Sequence, residues 1–380
     1  MSNSAAPPAR GPARASGSTW LISPAVDVFG LVGSVAVSYA LFFAWQGGLL
    51  EAVHLVPIWI FVFHGPHFFG TLTRTLLDRQ AWNERGVVFL RSWLWFLVGP
   101  AIVGAGLLFG SRDLVMLFFF LAAAWAFHHV VKQHFGFVAL FRARNRIFDR
   151  TDLRLTRYYL IFSLWAPVLI LLTNHPHWLQ QIPGVVSLAE VVGQDELWRS
   201  CERARGALTW GFWAAQVAFL ATRIGVRLRG GRVLVMELAL IAACVSLSWV
   251  VAQAALRSPD DPWAAYAIVP LITIFHNVQY HCLIWHYNRK KYRGEGAADR
   301  YGWASVFSSH LVAYFLGGVL YTAVTIGLES YGLPLFDRST YTGEILVALL
   351  WGFSFQHYYL DGVIWKVSRD AELRRILSFA

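Results

Sequence analysis

Apolar stretches of membrane-spanning length recur along this chain from residue 26 to residue 365, and nothing else constrains its fold as strongly. A helix needs roughly 20 mostly apolar residues to cross a ~30 Å hydrocarbon core, and a spanning segment must satisfy its own backbone polar groups. Ten stretches qualify: 25–46, 52–72, 88–110, 114–135, 157–174, 207–225, 233–255, 264–286, 304–327 and 343–365. They predict an all-α fold, a polytopic integral membrane helix bundle of about ten transmembrane helices with N-terminus and C-terminus cytoplasmic. Only 14% of residues are charged and the mean hydropathy is +0.48, whereas a soluble domain carries about a quarter charged residues. A disordered chain, a collagen-like or disulfide-stapled scaffold and an ordinary cytosolic enzyme are thereby excluded.

Charge placement supplies the orientation. With a cytoplasmic N-terminus, 26 of the 32 lysines and arginines fall in inner segments, as the positive-inside rule requires. The net charge of +10 is thus explained by topology and contact with anionic membrane lipids, and nucleic acid is not expected as a partner. Residues 1–19 are rich in Pro, Ala, Ser and Arg and lack the apolar core of a secretory signal, which predicts a disordered cytoplasmic tail. Residues 20–366 read as one transmembrane domain and 367–380 as a basic cytoplasmic tail. The long outer segment 175–206 contains His175, His177 and an amphipathic stretch from Glu196 to Arg205, which predicts an interfacial helix. The Arg-rich, Lys-poor composition points to a bacterial inner membrane. Cys201, Cys244 and Cys282 are too scattered for a metal or redox motif. No phosphate loop stands out among the glycines, and Gly317-Gly318 reads as close helix packing.

Thirteen histidines in such a chain need an explanation, because an imidazole in hydrocarbon is costly unless it finds partners. Ten fall in the inner half or near the midplane of the predicted spans: His64, His67, His128, His129, His134, His276, His281, His286, His310 and His357. Neutral imidazole is also the commonest transition-metal ligand. His64 and His67 are three apart on a helix, and His357 and Asp361 four apart, so each pair is expected to share a face. His128 and His129 diverge by about 100° and cannot both face one ion. His276, His281 and His286 spiral round their helix and cannot all bind one ion either. A weak internal echo links Phe63-His64, Phe127-His128-His129, Phe275-His276-Asn277 and Phe355-Gln356-His357. A single intramembrane histidine is ordinarily a helix-to-helix hydrogen-bond partner, but ten at one depth favour a shared metal site. The expected ligands are His64, His67, His128, His129, His134, His276, His281, His310, His357 and Asp361, with Asn277 and His286 supporting them.

Other polar residues read more plainly. Arg74, Lys132 and Lys366 fit snorkelling to lipid phosphates, or a docking patch for an acidic electron-donor protein at the cytoplasmic face. Glu237 and Asp27 fit helix ends. Trp285, Trp303, Trp351 and Trp365 fit interface belts or packing.

An imidazole-dominated set with few carboxylates suits iron, as one or two Fe(II) ions, ahead of zinc or copper. The pattern resembles the membrane histidine-box non-haem di-iron oxidases, the family of fatty-acid desaturases, hydroxylases and alkane hydroxylases. The resemblance rests on His64-Gly65-Pro66-His67, on Phe127-His128-His129 with His134, on His276 with His281, and on His310 and His357. It implies an O₂-dependent oxidoreductase that desaturates or hydroxylates an apolar lipid or isoprenoid chain entering from the bilayer. The boxes here are H-x-x-H, H-H-x(4)-H and H-x(4)-H-x(4)-H over about ten spans, where that family carries H-x(3–4)-H and H-x-x-H-H on four to six. A looser likeness is to the multi-span Brp/Blh-type carotene dioxygenases, which would change the reaction to double-bond cleavage. A metal or proton transporter, a haem-binding electron-transfer protein and a purely structural bundle are the rivals. Against transport, the outer half of the spans is nearly bare of polar residues.

Overall fold

A computed structural model describes residues 19–174, 184–257, 264–332 and 341–377. His175, His177 and nearly all of the expected tail 1–19 lie outside the described residues. A π-helical turn, Val26–Val32, leads into α1 (Val35–Gln46). Then come α2 (Ala52–Thr73), α3 (Arg79–Ser92), α4 (Trp95–Leu108), α5 (Arg112–Arg144) and α6 (Arg150–Asn174). The short α7 (Val185–Val192) precedes α8 (Gln194–Leu228), α9 (Val235–Leu256) and α10 (Ala264–Lys291). The chain closes with α11 (Ala297–Tyr301), α12 (Trp303–Ser308), α13 (Leu311–Gly332), α14 (Tyr341–Ile364) and α15 (Ala371–Ile376). The described residues form helices and connecting turns with no strand. Among the described residues, six helices are long and apolar enough to cross a membrane, or seven if Val26–Val32 and Val35–Gln46, bent by 42°, count as one span. These features make it an integral membrane protein by length and composition.

Helix starts follow ordinary capping chemistry. The first amides of a helix lack intrahelical partners, and a short polar side chain supplies one. Asp78 accepts from the Ala81 amide at 3.1 Å to open α3, and Ser111 from the Leu114 amide at 3.3 Å to open α5. Asp27, expected at a helix end, is buried there and accepts from the Leu21 and Ile22 amides.

Two expected elements take a different form. The amphipathic stretch from Glu196 to Arg205 is continuous with the apolar residues after it, so α8 runs 35 residues without a break. Pairing of Glu196 with Arg199 and Arg203 along one face keeps its first turns helical. The expected span 304–327 is interrupted at Ser309 and His310, which separate α12 from α13.

α10 is the axis of the bundle. In its apolar window 78% of the residues are buried inside the protein, against 22% for Arg79–Leu108 at the periphery. It packs against α1, α2, α5 and α9. Gln279 of α10 donates to the Leu31 carbonyl at 2.7 Å, within the π-helical turn, where widening leaves carbonyls without their usual partner. Gly317 and Gly318 do mark close packing. A Cβ at Gly318 would stand 2.7 Å from Pro66 of α2, and one at Gly317 2.6 Å from the Phe69 ring. Gly65 makes the same contact from the other side, since its Cβ would overlap the Thr322 side chain.

Candidate metal centre

Four side chains from three helices converge beside α10. His67 of α2, His129 of α5, and His357 and Asp361 of α14 offer ligand atoms that all lie within 4.8 Å of one another. His67, His357 and Asp361 are buried and His129 half-buried. The His67 and His357 Nε2 atoms are 2.9 Å apart. Asp361 Oδ2 lies 3.9 Å from His129 Nε2 and 3.8 Å from His357 Nε2. Ligand atoms bound about 2.1 Å from one cation stand roughly 3–3.5 Å apart, so small side-chain shifts would close this set round an ion.

Helix geometry explains the selection. His357 and Asp361 share a face of α14, as their spacing requires. His129 turns inward while His128 accepts from the Trp165 indole at 3.4 Å on the other side of α5. His64 and His67 differ in what they meet. The backbone between them is α-helical, with His64 at φ −73°, ψ −51° and Gly65 at φ −65°, ψ −47°, so the two stay on neighbouring faces, and His67 is the one whose ring nitrogen joins the cluster. The His64 ring packs between Trp59 and Phe68, with centroids at 4.3 and 4.4 Å.

The remaining expected ligands distribute round this core. His276 of α10 is adjacent, with ring centroids 4.8 Å from His67 and 5.3 Å from His129. His134 stacks on Phe275 and reaches His276 at 6.2 Å. His281 has both ring nitrogens engaged, Nδ1 with the Tyr314 hydroxyl at 2.9 Å and Nε2 with the Phe63 carbonyl at 3.3 Å. It is placed as a structural link between α10, α13 and α2. His310 is exposed at the α12–α13 break, and His286 is half-buried. Asn277 is buried with its amide nitrogen unpartnered.

Two supporting residues escaped the sequence reading. Thr71 donates to Asp361 Oδ1 at 2.9 Å and lies 2.8 Å from His357 Nδ1. Tyr280 donates to the same carboxylate oxygen at 3.0 Å and lies 2.6 Å from Thr71 Oγ1. Since the Thr71 proton goes to the carboxylate, its oxygen accepts from His357 Nδ1–H, and the His357 Nε2 lone pair faces the cluster. This is how an outer partner sets the tautomer of a ligating histidine. Thr71 and Tyr280 follow His67 and His276 by four residues, so the i, i+4 rule would have found both.

The cluster is incomplete as a hydrogen-bond network. His67 Nδ1, His129 Nε2 and His276 Nδ1 are buried without a hydrogen-bond partner. Most buried polar atoms in proteins are paired, so imidazole nitrogens left open beside a carboxylate fit a cation. Three imidazoles with one carboxylate suit iron or zinc chemically. Comparison with family models, with curated proteins and with solved structures found no match to this chain.

Proposed function

We propose that this protein is an intramembrane metal-dependent oxidoreductase, with iron held by His67, His129, His357 and Asp361. The single observation that carries the reading is the convergence of these four donors from three helices with imidazole nitrogens left unpartnered. The full topology is about ten spans with both termini cytoplasmic, in a bacterial inner membrane. The bound metal would supply O₂-dependent redox chemistry for desaturating or hydroxylating a lipid or isoprenoid chain.

A cavity supports the apolar substrate. It measures about 300 Å³ and is lined by Trp59, His64, Phe68, Tyr321, Leu350 and Trp351, between α2, α13 and α14. That volume sits at the lower end of the ~300–1,000 Å³ typical of small-molecule sites, and its walls suit a hydrocarbon chain. One ring divides it from the cluster, because Phe68 stacks on His357 with centroids at 4.5 Å. Phe68 and His64 orient the chain and exclude water, Thr71 and Tyr280 hold the ligands, and the basic inner loops offer a landing surface for an acidic electron donor.

The test is elemental analysis and optical spectroscopy of detergent-purified protein. Stoichiometric iron without a haem Soret band, lost in His129→Ala and His357→Ala, is the expected result. A metal-free protein, or iron retained in both variants, defeats the proposal.

A further inference from the structure

Five aromatic side chains run in file from the cluster to the basic inner end of the bundle. Tyr280 touches His67 with centroids at 4.2 Å. Trp365 follows at 5.9 Å, Tyr287 at 6.3 Å, Tyr292 at 6.2 Å and Tyr301 at 5.1 Å. All five are the redox-active types, tyrosine and tryptophan. Phenylalanine, the commonest aromatic residue of the chain with 28 copies, is absent from the file. Its far end lies beside the exposed residues Asp299 and Arg300, with the Arg300 guanidinium 5.0 Å from the Tyr301 ring.

Three of the four phenols along this file, Tyr280, Tyr287 and Tyr292, are hydrogen-bonded to carboxylates. Tyr287 donates to Glu372 at 3.4 Å and Tyr292 to Asp78 at 2.8 Å. Lys291 pairs with both carboxylates at 2.9 Å and holds them in place. A tyrosine that loses an electron also sheds its phenolic proton, and a base within hydrogen-bond reach receives it. The Arg74 guanidinium lies 3.7 Å from the Tyr287 centroid and 4.2 Å from that of Trp365, and fixes their spacing.

We propose that Tyr280, Trp365, Tyr287, Tyr292 and Tyr301 form an electron relay between the metal cluster and a one-electron carrier protein docked at α11. The inference rests on the redox reading of the cluster. An electron leaving Tyr280 for the oxidised centre is replaced from Trp365, then from Tyr287, Tyr292 and Tyr301 in turn. As Tyr280, Tyr287 and Tyr292 are oxidised, their protons pass to Asp361, Glu372 and Asp78. Trp365 passes through its radical cation with its N–H kept, Tyr301 at the end of the file gives its proton to water, and each proton returns when its ring is refilled. The carrier gives up one electron, the centre gains one, and the relay is unchanged.

The test uses the full-length, iron-loaded protein with a ruthenium photo-oxidant attached at Asp299→Cys. A flash withdraws an electron at the Tyr301 end, and formation of Fe(III) is followed by electron paramagnetic resonance. Trp365→Phe and Tyr292→Phe, which retain an aromatic ring for packing, are expected to slow Fe(III) formation at least about tenfold, equivalent to ~1.4 kcal/mol of barrier. Unchanged rates in both variants overturn the relay. Iron content, measured first, separates that failure from failure of the metal reading. Without metal, the tyrosyl radical formed at Tyr301 is expected to decay at least about tenfold more slowly in Tyr292→Phe, and an unchanged decay refutes the relay whatever the cluster binds.

Discussion

Two of the buried polar clusters among the described residues differ in kind. Arg142 of α5, Asp152 and Thr156 of α6, Arg223 of α8 and Glu237 of α9 tie four helices together. Arg142 reaches both Glu237 oxygens, at 2.6 and 3.0 Å, as well as Thr156 at 2.9 Å and Asp152 at 3.0 Å. Arg223 pairs with both Asp152 oxygens. Two guanidinium groups meet two carboxylates, and the charges balance within the protein. The His67, His129, His357 and Asp361 cluster instead leaves imidazole nitrogens without hydrogen-bond partners, and its one carboxylate meets imidazoles, two hydroxyls and the Trp365 indole, with the Arg74 guanidinium within electrostatic reach. The first arrangement pairs each carboxylate with a guanidinium, although Arg223 Nε has no hydrogen-bond partner. The second has buried imidazole nitrogens with no hydrogen-bond partner, and the proposal that it binds a cation rests on that difference.

The comparison can be broken from either side. The largest effect is expected at the open cluster, where His357→Ala should weaken metal binding by at least about 100-fold while leaving the helical fold in place. Isothermal titration with Fe(II) or Zn(II), alongside circular dichroism, checks both halves. In the closed cluster, Glu237→Ala strands a buried guanidinium and should destabilise the protein by about 3–5 kcal/mol with metal affinity unchanged. Reversible unfolding in mixed micelles measures it, and a metal-binding defect in that variant would erase the distinction between the clusters.

Smaller effects sharpen the picture. Thr71→Val keeps the side-chain shape but removes the hydroxyl that sets the His357 tautomer, so metal affinity should fall by about 10-fold or somewhat more. The smallest effect concerns Asp370, outside the spans, where it caps α15 through the Leu373 amide at 2.8 Å and pairs with Arg85 at 2.9 Å. Burial pushes its carboxyl up, but the Leu373 amide and Arg85 outweigh it and hold the group below the usual carboxylate range. A lowered folded value means that its stabilisation is present above the unfolded carboxylate value, about 3.9, and is lost as pH falls through the folded one. Asp370→Ala should cost about 1 kcal/mol at pH 7, and the gap from wild type should shrink in acid melts.

Much of the site could be read from spacing along single helices. The divergence of His128 from His129 and the shared face of His357 and Asp361 follow from 3.6 residues per turn, and the close approach at Gly317 and Gly318 from their missing side chains. Choosing between His64 and His67 was not possible that way, because the two lie on neighbouring faces of α2 and only the packing of Trp59 and Phe68 on the His64 ring separates them. Arg74, which fits snorkelling when read alone, is buried against Tyr287 and Trp365. Glu237, a helix-end residue by position, is buried in an ion pair with Arg142. In both cases the partner lies on a helix distant in sequence, and no local pattern encodes it.

The sequence by itself determined that the chain forms apolar helices of membrane-spanning length and that most of its imidazoles lie near one depth, because both depend on composition and on rise per residue along one helix. Only the tertiary structure decided which imidazoles meet. That outcome depends on how each helix is rotated about its own axis, which is set by π turns, by glycine contacts between helices and by packing around the buried α10.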